Sequence, residues 1–339
     1  MKSEQNQGYN IAFIGDLAGS VEATLDVLNA REFPVAEIFP LAVDVEDEHS
    51  LMFSGKPVYV KELAGFEWDQ IDIAFFLDNI ELSQEYADLA SEHCVVIDNT
   101  GAFLSDASVP LIQPGISDFS ALAQAMKIAI PSAESAQLAL TIKQLHQEVG
   151  LVRVSVSSYQ SVSVLGKKGV TTLAGETARL LNAKEIKSSP FPQQSAFNVF
   201  PQVGELSNDG HSFSELRLVN EVRQLLNDPS IVVSSTQVVV PMFYGCAQSV
   251  HLQTHYPVDL EEIAQTLHHT DGIKLMKSVC DYPHIIDDVI GNEEVQVGRL
   301  RQDICDASGV NLWTCADSVY FGVATNAVKV AEKLITGYI

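Results

Sequence analysis

Short apolar runs alternate with amphipathic segments of helical spacing along the first 130 residues. NIAFIG (10–15) and IDIAFF (71–76) are continuous apolar runs, which are typical of strands buried on both faces of a parallel sheet. Residues 21–31 and 83–92 place apolar side chains on one helical face. Because parallel strands need long crossover connections, this alternation predicts βαβ units and an α/β fold. Further strands are predicted at 38–43, 94–99 and 127–130.

The rest of the chain predicts an α+β domain with a mixed or antiparallel sheet. Residues 134–147 have a strong apolar helical face, whereas LVRVSVSSY (151–159) alternates as a half-buried antiparallel strand does. Residues 185–212 are rich in Ser, Pro, Gln and Asn, so we expect an irregular segment there. The same patterns predict strands at 230–245 and 249–256, and helices at 170–181, 259–268 and 323–335.

The charge balance limits the partners. The chain has 44 Asp and Glu against 20 Lys and Arg, a net charge of −24. Nucleic acids and anionic membrane surfaces are bound through cationic side chains, so we expect neither as a partner. No apolar run is long enough to span a membrane, and no apolar signal segment follows the polar residues 1–7. These features predict a cytoplasmic protein.

The five cysteines are odd in number and contain no CxxC pair. They are therefore predicted to be reduced, with those in apolar surroundings partly in the core. Neither they nor the nine histidines have the spacing of a metal site, so no metal is expected. The cysteines are Cys94, Cys246, Cys280, Cys305 and Cys315.

A glycine-containing turn, GDLAGSV (15–21), follows the first predicted strand. Such a turn can hold a pyrophosphate on backbone N–H groups at a helix N-terminus. The turn has only two glycines, however, and a tight turn without a ligand explains it equally well. The candidate cofactor-binding residues here are Gly15, Leu17, Ala18, Gly19, Ser20 and Val21.

Seven longer stretches resemble the aspartate-semialdehyde dehydrogenase family in their order and spacing. The resemblance implies a Rossmann-like domain at 1–130, a dimerisation domain at 131–319, and a final segment, 320–339, that returns to the first domain. It is strongest for a branch of bacterial homologues called Usg-type. The stretches are VVIDNTGAF (95–103), VPLIQPGI (109–116), SSYQSVSVLGKKGV (157–170), AFNVFPQVG (196–204), ELRLVNEVRQLLND (215–228), VGRLR (297–301) and NLWTCADSVYFGVATNAV (311–328).

The catalytic positions implied by the resemblance are changed. The family's nucleophilic cysteine opens a helix, whose N-terminus favours the thiolate, and Ala133 stands at that position. The family's histidine base corresponds to Cys246, and the arginine that holds the substrate carboxylate corresponds to Val239. Gln160 matches an active-site glutamine of the family.

The anion site implied by the resemblance is reduced to one cation. Leu104 stands in place of an arginine that contributes to phosphate binding. The family's E-x-x-K element corresponds to residues 214–217, so Ser214 takes the place of the acid and Arg217 that of the lysine.

The cofactor site implied by the resemblance is also altered. In the family, glycines at the place of FFLDNIEL (75–82) let the backbone approach the nicotinamide, and this segment has no glycine. Phe321 stands where the family has a lysine. The acids Asp44, Glu46 and Asp47 would repel the 2′-phosphate of NADP, whereas an acid at such a place can bond the ribose hydroxyls of NAD. A solvated acidic loop is the alternative. We expect no useful NADP binding and at most weak NAD binding.

Two hypotheses about the function follow from these residues. The first is an inactive homologue with a binding or regulatory role. The second is an oxidoreductase with repositioned chemistry, for which Cys246 is the one thiol near the expected site. The resemblance implies a homodimer, and a heterodimer with an active homologue is the alternative partner.

We predict that the chain sediments as a dimer at micromolar concentration. The dimerisation domain implied by the resemblance and the alternating strands of the second domain are the reasons. Sedimentation equilibrium should give twice the chain mass of 36.9 kDa. A species near 37 kDa under the same conditions would contradict this prediction.

Overall fold

The computed structural model describes residues 8–45, 49–186, 189–278 and 280–337. Two of the acids named above, Glu46 and Asp47, and the polar residues 1–7 lie outside the described residues. The chain divides into two compact units, one of residues 1–132 with 323–339 and the other of residues 133–322.

The first unit contains a parallel sheet with helices. Its described strands are β1 (Tyr9–Ile14), β2 (Val35–Ala42), the hairpin of β3 (Ser50–Phe53) and β4 (Lys56–Tyr59), β5 (Lys61–Glu62), β6 (Ile73–Phe76), β7 (Val95–Asp98) and β8 (Lys127–Ala129). Six of them form the sheet in the order β5-β2-β1-β6-β7-β8, and every pairing is parallel. Its helices are α1 (Glu22–Ala30), α2 (Ile80–Ser91) and, from the end of the chain, α7 (Asn326–Gly337).

The apolar runs that define this sheet are buried as predicted. All four residues of β6 are fully inaccessible, and the rings of Phe13 and Phe75 stack at 5.1 Å across β1 and β6. Because β1 and β6 are parallel neighbours, the turns after Ile14 and Phe76 meet at one edge of the sheet. This edge is the topological switch point of such a fold, where ligands usually bind.

The second unit is built on a mixed six-stranded sheet. Its helices are α3 (Ala133–Val149), α4 (Gly166–Leu181), α5 (Phe213–Leu226) and α6 (Leu260–His269). The sheet order is β10-β9-β11-β14-β13-β12. The strands are β9 (Leu151–Gln160), β10 (Val232–Val239), β11 (Cys246–Thr254), β12 (Ile273–Leu275), β13 (Val295–Gln302) and β14 (Gly309–Ala316).

The predicted fold class, an α/β protein with a Rossmann-like unit and an α+β unit, is confirmed. One detail is corrected: β9 pairs antiparallel with β11, as predicted, but parallel with β10 on its other side. The alternation of β9 reports which face is buried and carries no information on strand direction. A second detail is also corrected, because β10 ends at Val239 rather than continuing to residue 245.

The described part of residues 185–212 has no helix or extended strand, as predicted. A buried carboxylate fixes part of this segment: Oε2 of Glu176, on α4, accepts hydrogen bonds from the backbone N–H of Ser195 (2.8 Å), the Ser195 hydroxyl (2.6 Å) and the N–H of Ala196 (2.9 Å). Burial raises the pKa of Glu176, but these hydrogen bonds outweigh burial and bring the pKa below its ordinary value. The anionic form therefore holds the segment.

Among the described residues, no helix is both long and apolar enough to cross a membrane. The same residues contain no group of three or more His, Cys, Asp or Glu side chains that could hold a metal ion. The structure buries Cys94, Cys246 and Cys315 and exposes Cys280 and Cys305, without a disulfide among them.

We predict that Glu176→Gln lowers the free energy of unfolding by about 1–3 kcal/mol at neutral pH, because the bonds to Ser195 and Ala196 lose their charge assistance. The folded-state pKa of Glu176 is lowered, so its contribution is complete above the unfolded pKa of about 4.3 and disappears as the pH falls through the folded value. Urea denaturation from pH 7 to pH 3 measures both effects.

The matched control is Glu185→Gln, which removes an exposed carboxylate from the same region. It should change stability by less than about 0.5 kcal/mol. If the two variants behaved alike, Glu176 would not hold the segment.

Candidate active site

Helix α3 begins at Ala133, which stands at the expected nucleophile position. The Ala133 methyl group lies close to the backbone of Gly322: a Cβ added to Gly322 would be 2.3 Å from the Cβ of Ala133. Backbone therefore fills the space beside Ala133, and only glycine fits at position 322. A methyl group has no atom that can attack a carbonyl carbon, so this helix N-terminus carries no nucleophile at its first residue.

Cys246, at the position expected for the family's base, is the first residue of β11 and is 1% exposed. Burial raises the pKa of the Cys246 thiol well above its ordinary value, and Glu134 and Cys315 raise it further. The thiol is therefore protonated at neutral pH. Its contact with an acceptor is a weak one to the carbonyl oxygen of Ala247 at 3.7 Å. Cys246 thus has neither the ionisation nor the exposure of a reactive thiol.

Gln160, the matched glutamine, lies directly opposite Cys246 across the β9–β11 ladder. It is 2% exposed, and its side-chain Nε2 donates to Oε1 of Gln237 on β10 at 2.7 Å. The backbone N–H of Gln237 donates to Oε1 of Glu215 on α5 at 3.3 Å. Gln160 is therefore one end of a series of hydrogen-bonded residues that runs from β9 through Gln237 on β10 to Glu215 on α5. Its own Oε1 has no hydrogen-bond partner among the described residues.

Arg217, the cation expected at the anion site, forms an ion pair within its own helix. Its Nε donates to Oε1 of Glu221 at 2.7 Å, and both side chains are at least nine-tenths buried. Glu221 therefore cancels the charge of Arg217. Ser214, in place of the family's acid, is half-buried, and the adjacent Glu215 instead completes a capping box with Ser212 at the start of α5.

The two positions expected to carry arginines are apolar and do not act on an anion. Val239 is 2% exposed and belongs to an apolar cluster of the second unit. Leu104 belongs to the first unit, in the turn after β7, and its N–H donates to the carbonyl of Gly101. Within the second unit the structure thus brings together Gln160 and Cys246, and Val239 pairs with Gln160 in the β9–β10 ladder.

The glycine turn of the first unit carries two carboxylates. Asp16 lies so close to Gly19 that a Cβ on Gly19 would be 2.4 Å from the Asp16 Oδ2. The hydroxyl of Ser20 donates to Asp78, which follows β6 and has a φ of 65°. A pyrophosphate at this turn would meet both carboxylates at the N-terminus of the first helix. Their charge therefore opposes the attraction that such a turn offers to an anion.

The other positions predicted to bind a cofactor differ in their burial and backbone conformation. Leu17, Ser20 and Val21 are buried, and Gly15 permits the close approach of the Leu77 carbonyl, which would lie 2.2 Å from an added Cβ. Ala18 is half-buried within the turn, and Asp44 is exposed at a φ of 57° beyond β2. Phe321, in the expected lysine position of the second unit, is 3% exposed and is a core residue there.

Three residues of these sites were not found by sequence reasoning. Glu221 could have been noticed from its spacing of four residues from Arg217 on a predicted helix. Gln237 and Asp78 gave no such signal. Gln237 contacts Gln160 only because β9 and β10 pair, and Asp78 contacts Ser20 only because the turns after β1 and β6 lie side by side.

The family model described as the semialdehyde dehydrogenase dimerisation domain matches residues 142–321, more than half of the chain. The chain is 41% identical over 337 residues to aspartate-semialdehyde dehydrogenase 2 of Vibrio cholerae serotype O1, covering 98% of this chain and 99% of that protein. It is 36% identical, with the same coverage, to the aspartate-semialdehyde dehydrogenase of Shewanella violacea.

Solved structures agree with the sequence comparison. The crystal structure of aspartate-semialdehyde dehydrogenase II from Vibrio cholerae, complexed with ASA, has a TM-score of 0.93 at 41% identity and covers 98% of this chain and 100% of that one. A probable aspartate-semialdehyde dehydrogenase from Pseudomonas aeruginosa has a TM-score of 0.91 at 34% identity, with the same coverage. The fold is thus that of a semialdehyde dehydrogenase-type protein. The chain belongs to the aspartate-semialdehyde dehydrogenase family.

We predict that the chain binds NADP no tighter than about 10 μM, roughly 7 kcal/mol, and NAD at most weakly. The carboxylates of Asp16 and Asp78 at the glycine turn are the main reason. Calorimetric titration of the full chain with each dinucleotide is the measurement.

The double variant Asp16→Asn, Asp78→Asn should bind NAD at least about tenfold more tightly, since it removes two repelling charges. Asp69→Asn, which changes an exposed acid of the same unit, is the control and should have no effect. Tight NADP binding by the unchanged chain would show that the carboxylates do not block the turn.

Proposed function

We propose that this chain is a catalytically inactive, Usg-type member of its family that has a binding or regulatory role. The observation that carries the proposal is Ala133, a methyl group packed against Gly322 where the reaction requires a thiolate. Loss of a covalent nucleophile alone typically reduces turnover on the order of a million-fold. No described group of the second unit replaces it in that position.

The remaining positions support the same conclusion. Cys246 is buried and protonated, so it supplies neither a base nor a nucleophile. Arg217 is neutralised by Glu221, and Val239 cannot hold a carboxylate. Loss of one arginine paired with a substrate anion costs roughly 2–5 kcal/mol. These losses concern different parts of the reaction, so repairing one of them leaves the others.

The assembly and location follow as parts of the proposal. The unit of residues 133–322 would serve as the dimerisation domain of a homodimer, or of a heterodimer with an active homologue, and the other unit as a cofactor-type domain. Family membership and the matched dimerisation-domain model support this assignment. A cytoplasmic location would suit an acidic protein whose exposed cysteines are free.

A second candidate function is an NAD(P)-dependent semialdehyde oxidoreductase of aspartate-family amino-acid biosynthesis with altered chemistry. It is favoured by the names of two relatives, which are aspartate-semialdehyde dehydrogenases at 41% and 36% identity over almost the whole chain. Within the second unit, Cys246 is the thiol that such chemistry would use. It would then have to become exposed and ionised during turnover, against the effect of its burial.

We predict no oxidation of aspartate semialdehyde above about 0.1 per second, the low end of ordinary enzymes. The reaction needs a thiolate, a base, and cations that hold a carboxylate and a phosphate. Phosphate-dependent reduction of NAD or NADP is the assay, with protein purified from a host that lacks the active enzyme. Ala133→Cys should remain at background, because the base and the clamp are still absent and such groups act as a unit.

The variant Cys246→Ala separates the two functions. Turnover by the unchanged chain that disappears in Cys246→Ala would refute inactivity and support the second candidate. Cys94→Ala, which removes another buried thiol from the other unit, is the matched control.

A further inference from the structure

Helix α3 covers one face of the mixed sheet, and the opposite face is accessible. The side chain of Gln248 on β11 donates to the Glu134 carbonyl in α3, so the next residue, Ser249, points to the opposite face. Ser249 pairs with Trp313 on β14, which therefore shares this face. Ser249 is exposed and Trp313 is half-buried. We call the surface around Ser249, Arg301 and Trp313 the open face.

The open face belongs to a sheet without acidic residues. None of the six described strands β9 to β14 contains an Asp or a Glu, although the chain has 44 of them and a net charge of −24. Like charges that face each other across an interface weaken binding. Strands without acids are therefore where two copies of so acidic a chain meet at the smallest electrostatic cost.

A depression on the open face contains the residue types that anchor protein interfaces. Tyr, Trp and Arg are enriched at the energetic centres of interfaces, whereas Asp, Glu and Lys are depleted there. The ring of Trp313 is supported from the side by that of Tyr159 at 5.6 Å. The depression has a volume of about 210 Å³ and is lined by Ser249, Tyr282, Arg299, Arg301, Leu312 and Trp313.

A β-bulge places the two arginines at this depression. Between Gly298 and Arg301, β13 has one residue more than β14 opposite it, and Arg299 takes a φ of 55° there. Arg301 donates from Nη1 to the carbonyl of Arg299 at 2.8 Å. Both arginines are exposed, and neither forms an ion pair with a carboxylate in the part of the chain that the structure describes. Their counter-charge must therefore come from outside the protomer.

A carboxylate without a partner lies beside these arginines. Asp281 belongs to a loop that lies directly on Gly298, and its carbonyl accepts the N–H of Arg299 at 3.3 Å. The Asp281 side chain is exposed and has no hydrogen bond or ion pair with any residue that the structure describes. Two other acids that border the face, Asp303 and Asp306, are instead engaged by backbone N–H groups of their own turn.

We propose that the open face is the contact between two copies of this chain, and that Arg299 and Arg301 of each copy bind Asp281 of the other. In a two-fold contact, each group of one copy meets its complement on the other, so one set of complementary charges is used twice. Arginine suits this role because it binds a carboxylate in a bidentate manner. Tyr282 and Trp313 are the apolar anchors between the two ion pairs. The inference rests on the dimer of the proposed function and assigns it to a homodimer.

The first test compares two exposed tyrosines in the full chain. Tyr282→Ala should raise the dissociation constant of the dimer at least about tenfold in sedimentation equilibrium, because it removes an anchor of the contact. Tyr59→Ala, in the first unit, is the matched control and should change the constant by less than about twofold. The two residues are 51% and 59% exposed, so both variants should fold.

The second test exchanges the charges. Arg301→Asp and Asp281→Arg should each raise the dissociation constant at least about a hundredfold, because each places like charges opposite one another at two sites. An equimolar mixture of the two variants should form dimers again, since each contact then joins an acid to an arginine. Lys56→Asp, which reverses an exposed charge of the first unit, is the control and should change the constant by less than about twofold.

The outcomes separate this inference from the proposal on which it rests. A monomeric unchanged chain would overturn the proposed dimer and the inference together. A chain that associates only with an added active member of the family would support a heterodimer and overturn the inference. A dimer that the Tyr282 and charge variants leave intact would overturn the inference alone.

The mixture decides the pairing itself. Single variants that remain monomeric when mixed would overturn the assignment of Asp281 as the partner of the arginines. Circular dichroism checks the folding of each variant. Where Arg301→Asp, on β13, is misfolded, Asp281→Arg and Tyr282→Ala test the same contact from the loop.

Discussion

Helix α3 is fixed on the mixed sheet by buried side-chain hydrogen bonds, and the geometry of the second unit depends on them. Nε2 of Gln137 donates to the hydroxyl of Thr314 at 2.7 Å, and Nε2 of Gln248 donates to the Glu134 carbonyl at 2.9 Å. An unmade bond at such a depth would cost the desolvation of the amide, so the helix has one favourable position on the strands. That position sets Ala133 against Gly322 and Glu134 near Cys246.

Around this frame, polar side chains at positions predicted from the family's motifs bond to other side chains of the same unit. Gln160 is bonded to Gln237, and Arg217 to Glu221. In an open catalytic pocket, water and substrate satisfy such groups, whereas buried groups must find partners within the protein. The internal pairing therefore stabilises the fold and engages the charge of Arg217 and a donor of Gln160.

The fold followed from the sequence in most respects because burial imposes periodicity. The continuous runs of β1 and β6 and the helical spacing of α3 each have one energetically acceptable arrangement, with the apolar side chains inside. The antiparallel pairing of β9 with β11 was predicted, whereas its parallel pairing with β10 was not. An alternating strand shows which of its faces is buried but not the direction of its neighbours. Ala133, Val239 and Cys246 were predicted to depart from the family's residues because flanking motifs mark these positions.

What the sequence by itself determined is the residue type at each position that matches a family motif, such as Ala133, Val239 and Cys246. Only the tertiary structure decided the state of the residues that remain. The protonated thiol of Cys246 and the ion pair of Arg217 with Glu221 arise from burial and distance. These quantities are set by segments far apart in the chain, and local residue patterns do not encode them.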